Sequence, residues 1–136
     1  MRITCAVITL ILALCAPLLS AEKTALAVMD FIARDVPRED AAKISILVRN
    51  ELSNLPQYRT LDREQIVKAV GADIACDDVS CAVEAGKKLG ARAVIVGSIM
   101  RFGENLTVTG RVIDSESGAV LMAEKERAVF QADEYY

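Results

Sequence analysis

Apolar residues gather along this chain in a few patterned runs separated by polar turns. The first run, Ile3 to Leu14, follows Arg2 and is broken by Pro17. It is short for a membrane-spanning helix, which needs about 20 residues. A positive start, a short apolar centre and the small-residue exit Leu19-Ser20-Ala21 mark a secretory signal over residues 1–21. Residues 22–136 are then one domain's worth of chain, enough for a single core.

Past the signal, Lys23 to Phe31 carries the continuous apolar stretch Ala25 to Met29 and reads as a buried strand ended by Asp30. Pro37, Glu39 and Asp40 suit the first turn of a helix. In that helix Ile44, Leu47, Val48, Glu51, Leu52 and Leu55 fall on one stripe, apolar but for Glu51, with Ile46 off it. Pro56 stops the helix and Tyr58-Arg59-Thr60-Leu61 makes a short strand. Asp62 and Gln65 form a capping box for a helix whose face is Ile66, Ala69 and Val70, ended by Gly71. A cysteine loop leads into a helix from Val79 to Leu89 with the inner face Ala82, Ala85 and Leu89, closed by Gly90.

Ala91 to Met100 is the most apolar stretch after the signal and reads as a central strand. Leu106 to Ile113 alternates as a half-exposed strand, Ser115-Glu116-Ser117-Gly118 is a turn, and Val120 to Glu126 alternates again. Strand–helix alternation closing in an antiparallel meander predicts an α/β (α+β) sandwich. Its mixed sheet has about five strands, with about three helices packed mainly on one face. The last strand, Val120 to Val129, would leave an open edge for a peptide or small ligand.

Composition narrows the chemistry. The net charge is −3 and the chain has no histidine. An acidic domain without a basic stripe is a poor nucleic-acid binder, and a Ser-His-Asp triad is impossible. Gly97-Ser98 follows a strand but lacks the glycine-rich run of a phosphate loop. Asp30, Asp62, Glu64 and Asp114 all sit at element ends, where carboxylates cap helices and turns, and Arg63 reads as a surface ion-pair partner. No catalytic constellation and no cofactor or metal site is legible.

Four cysteines remain to be placed. Cleavage after Ala21 removes Cys5 and Cys15. Leu12-Ala13-Leu14-Cys15 resembles a lipoprotein box, but the bulky Leu14 argues against acylation of Cys15. Cys76 and Cys81 stay, and two cysteines in an exported domain most often form one disulfide. Asp77 or Asp78 can cap the helix after Cys76, which puts Cys81 in its first turn and within bonding reach. Zinc would need two more ligands, from Asp or Glu alone. A thioredoxin-like centre wants Cys-x-x-Cys, yet a helix N-terminus lowers a thiol pKa, so a thiol oxidoreductase using Cys76 and Cys81 stays open.

Ala27-Val28-Met29-Asp30-Phe31, then Arg49-Asn50-Glu51-Leu52, then Tyr58 to Arg63, resembles the opening of the CsgG / TolB-N-terminal-like family. Cys81 to Ala91 running into Val96-Gly97-Ser98-Ile99 is similar to that family's third helix and strand, and Ile113 to Gly118 to its hairpin. The likeness spans about Lys23 to Ala128. It implies a non-catalytic periplasmic or outer-membrane-associated domain that binds other envelope proteins, in some relatives as a homo-oligomeric ring. It also implies a disulfide at the cysteine loop, as in one subgroup. The long amphipathic hairpins of the curli channel have no counterpart here.

Overall fold

The computed structural model describes residues 22–129. Residues 1–21, which include Cys5, Cys15 and the expected signal, and residues 130–136 lie outside the described residues. In chain order come β1 (Thr24–Val28), β2 (Ile32–Arg34), α1 (Arg38–Ser53), β3 (Tyr58–Thr60), α2 (Arg63–Val70), α3 (Val79–Leu89), β4 (Ala93–Phe102), β5 (Asn105–Asp114) and β6 (Val120–Val129). They build one mixed sheet in the order β3-β1-β4-β5-β6, with β2 also paired to β4. β3, β1, β4 and β2 pair in parallel, and β4-β5-β6 is an antiparallel meander.

The α+β class and the meander are those the pattern predicts; β2 makes the sheet six-stranded. β1 pairs only with Ala93 to Ile95 of β4, so the far half of that ten-residue strand needs another partner. Ile32, Ala33 and Arg34 supply it, opposite Ser98, Ile99 and Met100. Three residues are too few for a period to register.

Alternate residues of the sheet feed two cores. Ala27, Met29, Val94, Val96 and Ile113 pack under α2 and α3. Val28, Phe31, Ile95 and Ile99 pack under α1 on the other side. Two of the three helices thus share a face, and the third closes the opposite one. Each fully buried Ile or Val, such as Ile66, Ile113 or Val94, contributes about 1.5–3 kcal/mol against exposure.

α1 departs from its expected stripe. Ile44, Val48 and Leu52 pack as predicted, but Leu47 is 58% and Leu55 40% exposed, and the innermost row is Ala41, Ser45 and Arg49. The cause lies at the end of β1, where the strand's backbone groups outrun its neighbours. The Phe31 amide donates to Ser45 Oγ at 2.8 Å, and Ser45 donates on to the Ala41 carbonyl at 2.9 Å. Arg49 Nη2 donates to the Val28 carbonyl at 2.7 Å. Polar side chains turn inward because unpaired buried backbone groups are costly. In α2, likewise, Val67 packs beside Ile66 and Val70, while Ala69 is exposed.

The caps follow the sequence closely. Asp62 and Gln65 form the reciprocal capping box of α2. Asp78, not Asp77, caps α3 by accepting from the Cys81 amide at 2.8 Å. Gly90 ends α3 at φ 63°, a left-handed conformation that favours glycine.

Candidate functional site

The loop between α2 and α3 is tied to the sheet along its length. Asp30 and Ala75 form a parallel bridge, the Cys76 amide donates to the Asp30 carbonyl at 3.1 Å, and the Gly97 amide donates to the Cys76 carbonyl at 3.3 Å. Ile74 and Cys76 are buried. Asp77 pairs with Arg34 at 2.8 Å, and its carbonyl accepts from Arg111. These contacts bring Cys76 and Cys81 together with their Cα atoms 6.3 Å apart, inside the range a disulfide spans.

Cys76 is buried and Cys81 partly buried, so an external thiol reaches only the Cys81 sulfur. The backbone ties of Cys76 to Asp30 and Gly97, and the four-residue gap in place of Cys-x-x-Cys, suit a staple at the start of α3 better than a cycling dithiol. A six-residue loop gives about 2 kcal/mol by chain entropy. Full reduction is therefore expected to lower the unfolding free energy by about 2 kcal/mol and leave the native fold in place. A thiol titration of native and denatured protein, with denaturant melts of both forms, checks this; free thiols in the untreated native protein would sink it.

The expected carboxylates do not converge on one another. Asp30 ends β1 between two cations, Arg63 at 3.0 Å and Arg49 at 3.9 Å. The Arg63 guanidinium is held above its usual range by its hydrogen bond to Asp30 and by that charge, whereas burial pulls Arg49 down against the same carboxylate. Arg49 Nε is buried without a partner. Asp62 is engaged in its cap and Glu64 is exposed in the first turn of α2. An open cleft of about 710 Å³ is lined by Arg38 and Arg63 together with Asp30, Glu39 and Asp73, a mixed lining with one carboxylate in excess.

Asp114 lies elsewhere, opposite Ala93. Its carboxylate accepts from the Ser117 and Glu116 amides, each at 2.9 Å, and from Ser117 Oγ at 3.1 Å, with Arg92 at 3.4 Å. The Ser117 amide foremost, helped by the Glu116 amide, the Ser117 hydroxyl and Arg92, holds its pKa below the ordinary carboxylate value. Since the folded pKa is the lower one, Asp114 stabilises the fold fully above a pH of about 3.9 and loses that contribution as pH falls through the folded value. Asp114→Asn is expected to flatten the loss of stability as pH falls below about 4, read from denaturant midpoints across that acid limb. An unchanged acid slope would count against this role.

β6 is exposed over all ten residues, including Leu121 at 60% and Met122 at 58%, and forms the free edge of the sheet. Among the described residues no helix is long and apolar enough to cross a membrane, and no group of three metal-binding side chains forms.

The sequence reading thus placed Cys76 with Cys81, and Arg63 in an ion pair, but missed Ser45 and Arg49. A signal was present: Ala41, Ser45 and Arg49 recur every four residues, the spacing of one helix row.

The family model of the TolB amino-terminal domain matches residues 19–121. No curated protein matches the chain. Among solved structures, the LpoB C-terminal domain from Escherichia coli is similar with a TM-score of 0.65 at 19% identity, over 81% of this chain and 88% of that one. Lipoprotein GNA1162 from Neisseria meningitidis gives 0.62 at 13% identity, over 78% and 80%. The PelC dodecamer from Paraburkholderia phytofirmans gives 0.54 at 17%, over 79% and 72%. At such identities the likeness is one of fold.

Proposed function

Because the chain belongs to the TolB amino-terminal domain family, we propose that it is an exported, non-catalytic domain that binds another protein of the cell envelope. The observation that carries this reading is β6. A ten-residue edge strand offers unpaired backbone groups to an incoming strand, and such long exposed edges are normally shortened, covered or blunted. Leu121 and Met122 add apolar contact to that edge. The signal segment supports a periplasmic location, and the oligomeric PelC relative supports assembly of copies as one form the binding takes.

In-cell photo-crosslinking from position 122 of the full-length protein tests this. The expected result is an adduct of one discrete mass that disappears on Leu121→Asp. That exposed substitution should shift stability by no more than about 0.5 kcal/mol. Light scattering of the purified protein then separates the two forms, because a discrete multiple of the chain mass marks self-assembly and a monomer marks a distinct partner. A monomer that gives no adduct from any β6 position would overturn the reading.

A further inference from the structure

A second open cleft, of about 570 Å³, lies at the other end of the sheet, between the start of β1, the last turn of α3 and the turn after β5. Lys23, Arg59, Lys87 and Arg92 line it together with Glu22 and Glu116. Four cations against two carboxylates make a local positive excess on a chain whose net charge is −3. The cleft beside Asp30 has the opposite balance. β6 sorts its charges by face, Lys125 and Arg127 on one and Glu124 and Glu126 on the other, and they sum to zero.

The fold gathers these cations from four places. Arg59 lies beside Ala25 in the register of β3 and β1, and so shares the α2–α3 side of the sheet with Ala27 and Met29. Lys87 stands in the last turn of α3. The Arg92 amide donates to the Ala25 carbonyl at 2.8 Å, and the Arg92 carbonyl accepts from the Ser115 amide at 3.1 Å. Arg92 is engaged with Glu116 at 2.9 Å and Asp114 at 3.4 Å. Lys23, Arg59 and Lys87 have no ion-pair partner among the described residues. α3 points its C-terminal end here, and the Gly86 carbonyl is already taken by the Gly90 and Ala91 amides. An anion in this cleft is therefore held by side chains, not by helix amides.

A second observation points to a ligand. Ser115 lines the same cleft, is 5% exposed, and its hydroxyl has no hydrogen-bond partner. A buried hydroxyl left unpaired is costly, and an anionic oxygen is the acceptor it lacks. Three unpaired cations exceed what one carboxylate neutralises. They match a phosphate monoester, with a charge of about −1.5 to −2 and three acceptor oxygens. The planar Arg59 fork can take two of those oxygens at once.

We propose that this cleft binds a phosphate-bearing ligand, with Arg59 and Lys87 as its main contacts, Lys23 at the mouth and Ser115 donating to a phosphate oxygen. The phosphate arrives either on a soluble molecule or on a lipid headgroup. The cleft shares no residue with β6, so the proposal stands apart from the partner-binding reading.

Titration of the purified protein with inorganic pyrophosphate, followed by amide NMR in about 0.15 M salt, tests it. The Gly86, Gly90 and Ser115 amides are expected to move along one saturating curve with a Kd of about 1 mM or below, while the β6 amides stay in place. Arg59→Gln with Lys87→Gln, both exposed, should weaken binding about tenfold and leave the unfolding midpoint unchanged. Ser115→Ala should weaken it about fivefold without lowering that midpoint, since the hydroxyl it removes has no partner in the fold. Phosphatidylcholine vesicles containing phosphatidate that displace pyrophosphate mark a lipid-borne ligand, and vesicles that leave it bound mark a soluble one. Binding weaker than about 1 mM, or a Kd that Arg59→Gln with Lys87→Gln leaves unchanged, overturns the proposal.

Discussion

Arg49→Ala is expected to cost the fold about 3 kcal/mol, a large share of the roughly 5–15 kcal/mol that holds a domain of this size. Arg49 is only 9% exposed, and its guanidinium serves the Val28 carbonyl at 2.7 Å while lying 3.9 Å from Asp30. Truncation strips the end of β1 of a donor and opens a cavity between α1 and the sheet. Asp30 keeps Arg63 at 3.0 Å, so its charge is not orphaned, which holds the loss near the low end for a broken buried pair. Arg49→Met separates packing from polarity, because it keeps most of the volume and removes the donor. Urea midpoints at constant slope measure both variants. If Met proves as stable as Arg, the hydrogen bond and the charge contribute nothing net and the account fails.

A comparable loss, about 3 kcal/mol, is expected for Gly97→Ala in the middle of β4, at the upper end of ordinary overpacking costs. A β-carbon built there would stand 2.8 Å from the Phe31 ring, with the Thr109 carbonyl closer still. Phe31 is 5% exposed and packed between β4 and α1, so the ring has nowhere to retreat. Phe31→Leu in the same chain should recover part of the loss, and the coupling energy of the double-mutant cycle is the measurement. Strict additivity would show that the ring is not what excludes the β-carbon.

How much of this was legible in the sequence depended on whether an apolar pattern or a backbone need placed each residue. β4, the meander, the capping box at Asp62 and the two glycine stops were readable, because each rests on a local rule about periodicity or φ. The pairing of Cys76 with Cys81 was readable only from spacing taken together with the expected export, with a redox role left open. Ser45 and Arg49 were legible only as a four-residue spacing with Ala41, since a hydrophobic stripe cannot announce which polar side chain will serve a distant strand end. Leu47 looked buried for the same reason: the helix rotates to satisfy the Phe31 amide and the Val28 carbonyl. β2 escaped notice because its cause, the unpaired half of β4, lies about 65 residues further along the chain.

The sorting of charges on β6 also limits the symmetry of any assembly through that edge. If two copies joined β6 to β6 in a continuous antiparallel sheet, the twofold axis would stand normal to the sheet and keep each face on its own side. Glu124 and Glu126 of both copies would then crowd one face, and Lys125 and Arg127 of both the other. Like charges set across strands are destabilising. Registers that set Glu124 to Arg127 of one copy against the same stretch of the other are the ones disfavoured, which pushes a twofold contact toward the uncharged start of β6 or replaces it by a head-to-tail contact.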